Sequence, residues 1–424
     1  LSAHLDGVAK RCQQLVPASN TTPFDESLQD LVSAVAHLHD IGKLTTHFQA
    51  YIDEEGHRHP TELETHSRVG AILSLHALQA QGFSRQTATA GFYAVLKHHG
   101  TLPKVAAEQN EWTTQESRYE ILQTKLQDIG ENAREQADRR LRNASDGALA
   151  WDDVRSERIA VYQQSLTDFE PSGQFYQLLL RVWSTLTCAD KLDAADVSVG
   201  GTDRPNPDAI SFDNDATGIL RDLNDRRQQA RYDVRNALEA ADTTAGDVFR
   251  LTLPTGFGKT AAGLEAALAE ATRRDSRVVY ALPYTTVIDQ VDDVIQDQFG
   301  VTPTDRAYTI HHHLADTRTD WDADDERLAD GTEFLYGETW QAGLVLTTFV
   351  QLFESLAGPG NVQSIKLPAL QNAVIVVDEP QALPNHWWHL LSRLVSMLTE
   401  EYDATVILMS ATQPRFVAEY NDQL

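Results

Sequence analysis

Residues 251–260, LTLPTGFGKT, place a glycine-rich turn directly before a lysine and a threonine. The apolar run 248–253 predicts a buried strand before this turn, and the alanine-rich run 261–271 predicts a helix after it. In such a turn, glycines let backbone N–H groups surround phosphate oxygens, the lysine adds a positive charge, and the threonine hydroxyl can hold Mg²⁺. The segment therefore predicts a nucleoside triphosphate site, although Leu253 stands where the strict pattern has glycine. The predicted ligands are Thr255, Gly256, Gly258, Lys259 and Thr260.

Two later segments each combine a buried strand with polar residues at its end. Residues 373–380, AVIVVDEP, contain Asp378 and Glu379, and residues 405–412, TVILMSAT, end in Ser-Ala-Thr. Either segment alone could be a core strand with a polar end. A carboxylate pair at a strand end suits water-mediated Mg²⁺ binding by the aspartate and activation of water by the glutamate. Together with the phosphate loop, they predict an ATPase that binds ATP and Mg²⁺.

The amino-terminal half concentrates residues that ligate metals. His39 and Asp40 lie in AVAHLHDIGK, which favours a helix with its polar edge turned inward. Imidazole and carboxylate together suit Fe, Mn, Ni or Co, or Mg²⁺ where carboxylates dominate. A single histidine of this kind is more often a surface residue or a hydrogen-bonded core residue, so the prediction depends on the whole set. The further members are His4, His66, His98, His99 and Asp190.

The order of these residues resembles the pattern of HD-domain metallophosphohydrolases. An HD pair is followed by Ile-Gly-Lys, by a histidine at a helix of small residues, by HHG and by a late aspartate. The resemblance implies an all-α fold and, from the HHG pair, a centre with two metal ions. Two ions about 3.5–4 Å apart can bridge a phosphate, generate hydroxide and stabilise the leaving oxygen.

The carboxy-terminal segments resemble superfamily 2 helicases. The phosphate loop, the Asp-Glu pair and Ser-Ala-Thr correspond to motifs I, II and III, 281–284 to motif Ia and 347–351 to motif Ib. The resemblance implies that the Ia and Ib loops touch the nucleic-acid backbone. Residues 381–382 are Gln-Ala, which departs from the commonest motif II but leaves the roles of the Asp and the Glu intact.

An HD domain joined to a superfamily 2 core is similar to the CRISPR-associated nuclease–helicases of type I systems. The resemblance implies catalytic roles for Asp40, Lys43 and Glu379 and a Mg²⁺ role for Asp378. One metal would be held by His4, His39, Asp40 and Asp190, and a second by Asp40, His66, His98 and His99. Asp193 rivals Asp190, since both lie three residues apart on one predicted helix. Residues 224–229 offer candidates for an adenine contact.

The predicted architecture is an all-α HD domain over 1–205, a linker over 206–215, and an α/β RecA-like domain with a mainly parallel sheet over 216–424. Gly, Pro, Asp and Asn cluster around the linker. Residues 105–175 read as a polar, helical and solvated excursion of the HD domain. The second RecA-like lobe is absent from these 424 residues, which start with Leu1. We therefore expect a fragment or a split product whose second lobe comes from the same gene or a separate chain.

The charge balance bears on the partner. The chain has 62 acidic and 35 basic residues, a net charge of −27, and only eight lysines. A basic patch is the usual footprint of a nucleic-acid binder. A lysine-poor, aspartate-rich surface is typical of adaptation to a high-salt cytoplasm, where ~1 M salt shortens the Debye length to ~3 Å and weakens repulsion from DNA. The charge therefore indicates habitat more than substrate.

Other features bound the remaining possibilities. No signal peptide or long apolar run is present, so a cytoplasmic protein without a membrane partner is expected. Cys12 and Cys188 are too few for a disulfide scaffold and are expected to pack in the HD core. Three successive histidines, 311–313, lie outside any recognised ligand pattern and are expected to be solvated loop residues.

The predicted function is metal-dependent cleavage of single-stranded DNA, coupled in the full-length protein to ATP-driven translocation and unwinding. The resemblance implies the Cascade surveillance complex with its guide RNA as partner, presenting the displaced strand of R-loop DNA. Two alternatives stay open. One is an HD nucleotide phosphohydrolase with a regulatory ATPase lobe, and the other is a non-catalytic, ATP-gated nucleic-acid-binding module.

Overall fold

The computed structural model describes residues 1–53, 60–102, 104–105, 116–154, 166, 169–200, 203–210, 217–241, 246–303, 306–312, 332–358 and 360–411, with only the backbone at 116–118, 332–334 and 361. These residues form two compact units. The first is Leu1–Val199 with Pro359–Pro368, and the second is Gly200–Gly358 with Ala369–Leu424.

The first unit is helical throughout its described secondary structure. Its helices are α1 (Ser2–Leu15), α2 (Leu28–Leu38), α3 (Thr46–Asp53), α4 (Ser67–Ala80), α5 (Arg85–Leu96), α6 (Glu116–Asn132), α7 (Arg134–Ala144) and α8 (Phe175–Ala194), with a short 3₁₀ turn at Ile41–Leu44. Ser27 caps α2 by accepting a hydrogen bond from the backbone N–H of Asp30. Helices α4, α5 and α8 are buried over most of their circumference, which is expected of helices at the centre of a bundle.

The polar stretch 105–175 is less solvated than its sequence suggests. Its described part includes the predicted helices, but α6 and α7 bury Leu122, Ile129 and Leu141. The expectation of a solvated excursion is therefore wrong for these two helices, because a few apolar residues at helical spacing suffice to bury one face. Cys12 and Cys188 are both buried and unbridged, as predicted.

The second unit is built on a six-stranded sheet in which every pair of neighbouring strands is parallel, in the order β1-β6-β5-β2-β4-β3. The strands are β1 (Val248–Thr252), β2 (Val278–Leu282), β3 (Tyr308–His311), β4 (Leu344–Thr348), β5 (Val374–Asp378) and β6 (Thr405–Ser410). The helices of this unit are α9 (Ile219–Ala240), α10 (Lys259–Arg273), α11 (Ile288–Phe299), α12 (Thr332–Glu338), α13 (Phe349–Ala357) and α15 (Trp388–Tyr402), while the short α14 (Asn361–Ser364) belongs to the first unit.

The burial of the strands explains the sheet. All residues of β2, β4, β5 and β6 are buried, as expected for parallel strands covered on both faces, whereas β1 buries only Phe249 and Leu251. The predicted fold class, an all-α region followed by a RecA-like α/β domain, is confirmed. Because the strands are parallel, the phosphate loop after β1, Asp378 at the end of β5 and Ser410 at the end of β6 lie along one edge.

The structure describes only part of the predicted linker and only two of the three successive histidines. The proposed linker, 206–215, is described only over 206–210, where Pro207–Ala209 form a 3₁₀ turn and Ile210 joins the core of the second unit. The domain boundaries stay predictions. The expectation of solvated histidines is wrong for His311, which ends β3, is buried and contacts Glu338 at 3.2 Å between Nε2 and Oε1. His313 lies outside the described residues.

Candidate metal centre and nucleotide site

Two groups of metal-ligating side chains meet at Asp40 in the first unit. One group is Asp40, His66, His98 and His99, and the other is His4, His39, Asp40 and Asp190. In each group, one ligand atom from every member lies within 4.8 Å of those of the others. The structure thus brings together all seven predicted ligands, although they are spread over almost two hundred residues of sequence.

Five parts of the bundle position these ligands. His4 lies on α1, His39 and Asp40 follow the last residue of α2, and His66 directly precedes α4. His98 and His99 follow α5 after one intervening residue, and Asp190 lies in the last turns of α8. His39 Nδ1 lies 2.8 Å from the carbonyl oxygen of Ala36, and His98 Nδ1 lies 2.6 Å from that of Val95. Since a carbonyl only accepts, both Nδ1 atoms must donate, which places the lone pair of a neutral ring on Nε2, the atom that would ligate a metal.

The distances between ligand atoms test whether ions fit. Ligand atoms about 2.0–2.2 Å from one ion lie about 3–3.6 Å apart when they are neighbours around it. Asp40 Oδ1 is 3.1 Å from His66 Nε2 and 3.5 Å from His98 Nε2. Asp190 Oδ1 is 3.1 Å from His4 Nε2 and 3.7 Å from His39 Nε2. The residues present therefore fit two divalent cations that share Asp40.

The electrostatics favour the ligating forms of several members. Burial lowers the pKa of His66 to about 4 despite the nearby Asp40. Burial opposes ionisation of Asp40, but the charges and hydrogen bonds of His39, His4, His66 and His98 outweigh it and hold its pKa well below the usual value. Lys43 adds an ammonium 2.7 Å from Asp40 Oδ2.

The two ring nitrogens of His4 face the two aspartates that compete for a ligand role, Asp190 and Asp193. Its Nε2 faces Asp190 Oδ1, whereas its Nδ1 lies 2.6 Å from Asp193 Oδ2. Arg11 forms an ion pair with the other carboxylate oxygen of Asp193, Oδ1. Although burial opposes it, hydrogen bonding to Asp190 and Asp40 raises the pKa of His4 to about 10. Asp190 thus lies within the ligand group, and Asp193 lies behind His4, where a carboxylate can orient the ring.

The residues of the predicted nucleotide site lie at the carboxyl edge of the sheet in the second unit. Gly256 and Gly258 have φ of +85° and +75°, which the turn requires and which only glycine adopts without strain. Lys259 begins α10, its Nζ is 3.2 Å from Asp378 Oδ1, and it also forms an ion pair with Glu379. Arg227 on α9, one of the residues proposed near the adenine, donates to the carbonyl of Gly256 at 2.9 Å. Thr255 is exposed on the loop.

Two residues that the sequence did not single out complete this site. The Tyr280 hydroxyl donates to Asp378 Oδ2 at 2.8 Å and is also hydrogen-bonded to Thr260. Burial raises the pKa of Asp378 even though Lys259 and Tyr280 oppose the shift. Gln381 contacts Glu379 and accepts a hydrogen bond from Ser410 Oγ at 2.9 Å, so it links motifs II and III. Thr412 lies outside the described residues.

Comparisons with known proteins agree with both halves of the chain. The family model "Cas3, HD domain" matches residues 1–176, and "DEAD/DEAH box helicase" matches residues 234–420. The "CRISPR-associated nuclease/helicase Cas3" of Haloferax volcanii is 33% identical over 437 residues, which cover 93% of this chain and 46% of the relative. The chain therefore consists of a Cas3-type HD domain followed by a DEAD/DEAH-box helicase domain. The HD match contains every predicted metal ligand except Asp190.

One solved structure shares the fold of this chain, and a second aligns over most of it. The crystal structure of T. fusca Cas3 gives a TM-score of 0.50 at 20% identity, over 99% of this chain and 46% of that one. The crystal structure of T. fusca Cas3-ATP gives 0.47 at 19% identity, over 99% and 47%. The chain spans about half the length of the relatives it matches. Among the described helices, none is long and apolar enough to cross a membrane.

Proposed function

We propose that the chain is the nuclease and ATP-binding part of a CRISPR interference effector and cuts single-stranded DNA at the histidine–aspartate cluster. The observation that carries the proposal is the sharing of Asp40 between two groups of ligands. Two divalent cations bound there would supply a hydroxide nucleophile and stabilise the leaving oxygen of a phosphodiester. The donor set suits Fe, Mn, Ni or Co, or Mg²⁺.

The protein's own side chains have distinct roles in this proposal. Asp40, which belongs to both ligand groups and is buried, would contribute its carboxylate to both ions. His39 and His98 are oriented by backbone carbonyls, and His4 by Asp193. Lys43, whose side chain is 29% exposed beside Asp40, is placed to pair with the charge of the DNA backbone.

The sheet domain is proposed to bind ATP–Mg²⁺ and to drive movement along DNA in the whole protein. Lys259 and the glycine loop would hold the phosphates, Thr260 and Asp378 the Mg²⁺, and Glu379 would activate water. In the structure, Lys259 pairs with Asp378 and Glu379. Translocation and unwinding would require the second RecA-like lobe, and recruitment would come from Cascade and its guide RNA at an R-loop.

A nuclease assay with two separating variants tests the proposal. Purified protein is incubated with circular single-stranded DNA and Mn²⁺, Ni²⁺, Co²⁺ or Mg²⁺, without ATP. We expect cutting by the wild type, loss of cutting in Asp40→Ala, and normal cutting in Asp30→Ala, an exposed aspartate on the helix that precedes Asp40. Lys259→Ala should cut normally but lose ATP binding.

Each other outcome has a definite meaning. Full cutting by Asp40→Ala overturns the assignment of the nuclease centre. Hydrolysis of free nucleotides without cutting of the circle favours a phosphohydrolase with a regulatory ATPase lobe. If Asp40→Ala changes no measurable activity while ATP still alters DNA binding, the chain is an ATP-gated binding module.

A further inference from the structure

Helix α6 carries a lysine whose burial is unusual for its residue type. Lys125 is only 1% exposed, and such side chains are almost never fully buried unless they are paired. Its Nζ donates to the carbonyl oxygen of Thr65 at 2.6 Å and contacts Thr65 Oγ1 at 3.2 Å. Thr65 immediately precedes His66. The buried ammonium therefore fixes the backbone next to a proposed metal ligand.

Asp128, three residues after Lys125 on α6, makes a second polar contact. Asp128 accepts hydrogen bonds from the backbone N–H of Thr46 at 2.6 Å and from its hydroxyl at 2.9 Å. Thr46 is the first residue of α3. Since residues three apart on a helix share a face, Lys125 and Asp128 together hold both ends of segment 46–65.

A second contact constrains His66. A methyl group added at Gly42 would lie within 2.8 Å of the Cα of His66, so the backbone of His66 packs directly on the turn that follows Asp40. The backbone at 65–66 is thus held by this turn as well as by Lys125. His66 Nε2 is 3.1 Å from Asp40 Oδ1, and a shift of about 1 Å in such a site is enough to impair its function.

Only one of the two ligand groups depends on this segment. His66 belongs to the group with His98 and His99, whereas the other group takes its ligands besides Asp40 from α1, α8 and the end of α2. We infer that Lys125 and Asp128, here called the α6 anchor, are positioning residues for the ion held by Asp40, His66, His98 and His99. The affinity for the ion held by His4, His39, Asp40 and Asp190 does not depend on this anchor. The inference rests on the proposed two-metal centre.

Titration of the metal-free protein with Mn²⁺ alone, by calorimetry and by electron paramagnetic resonance, tests this selectivity. The wild type should bind two ions and show the spin coupling of a two-ion centre. Lys125→Met should bind the ion held by Asp40, His66, His98 and His99 about 10–100-fold more weakly, the usual effect of removing an outer contact of a metal ligand. The other ion should bind as before, and the coupled signal should be replaced by that of an isolated ion.

Further variants keep the test decisive if Lys125→Met is poorly folded. Asp128→Asn should weaken the same ion to a smaller extent, and Lys125→Arg, which keeps a donor for Thr65, should recover much of the lost affinity. Lys10→Met, an exposed lysine on α1, is the matched control and should bind both ions normally. Equal binding of two ions by wild type, Lys125→Met and Asp128→Asn would overturn the inference. Equal weakening of both ions in a folded variant would also overturn it, whereas a wild type that binds no Mn²⁺ would overturn the proposed centre itself.

Discussion

Replacement of Tyr280 by phenylalanine should weaken Mg²⁺–ATP binding without changing the binding of ATP alone. The Tyr280 hydroxyl lies between Thr260 and Asp378, the two side chains proposed to hold Mg²⁺. The loop glycines and Lys259, which are proposed to hold the phosphates, are unchanged by the substitution. The Tyr280→Phe change therefore removes the orientation of the Mg²⁺ ligands and little else.

The size of the effect follows from the burial of Asp378. This carboxylate is 5% exposed, so water cannot readily replace the lost donor. A hydrogen bond to a charged group contributes about 1.5–3 kcal/mol, and 1.4 kcal/mol corresponds to about tenfold in affinity. We expect the Mg²⁺ affinity of the ATP complex to fall by about tenfold, with about 100-fold as the upper end.

A fluorescent ATP analogue, titrated with Mg²⁺ and separately in EDTA, measures both quantities. Tyr308→Phe is the matched control, since its hydroxyl also donates to an aspartate, Asp292 at 2.9 Å, but on strand β3 at the far edge of the sheet from β1. An unchanged Mg²⁺ midpoint in Tyr280→Phe would refute the reasoning. A loss of binding in EDTA would show that the hydroxyl supports the loop instead.

Two further predictions concern the first unit. Asp193→Asn should weaken Mn²⁺ binding by about 10-fold or more, because His4 loses its charged orienting partner. The control is Asp196→Asn, an exposed neighbour of Arg11, which should bind Mn²⁺ normally. Calorimetry in which the two variants bind Mn²⁺ equally well would contradict the orienting role. Burial lowers the pKa of Lys125 from 10.5 to about 8, so between these values the unfolded chain binds the proton that the folded chain has lost. The free energy of unfolding should therefore rise with pH across this window by up to about 3 kcal/mol relative to Lys125→Met. Urea unfolding at a series of pH values measures this difference between the two proteins, and a difference that stays constant from pH 8 to 10.5 would exclude the shift.

The sequence by itself determined the features that depend on neighbouring residues. The glycine loop, its strand and its helix are contiguous, so their chemistry could be predicted from spacing alone. The apolar runs 373–378 and 405–410 likewise predicted strands, which the structure confirms as β5 and β6. The HD pair and the later histidines indicated a metal centre as a set, and their roles as ligands stay predictions.

Only the tertiary structure decided how distant residues are paired. Asp190 and Asp193 share one helix and the same spacing signals, and only the approach of α1 places them on different nitrogens of His4. Tyr280 reaches Asp378 because β2 and β5 are neighbours in the sheet, an adjacency that no local pattern encodes.

The same limit explains what the sequence reading missed or misjudged. Lys125 contacts a carbonyl sixty residues earlier in the chain, so its sequence surroundings show only a polar helix. His311 resembled a solvated loop residue, but it is buried at the end of a strand beside Glu338. Burial and hydrogen bonding at these positions are set by elements far away along the chain, because packing brings together surfaces that the local sequence does not describe.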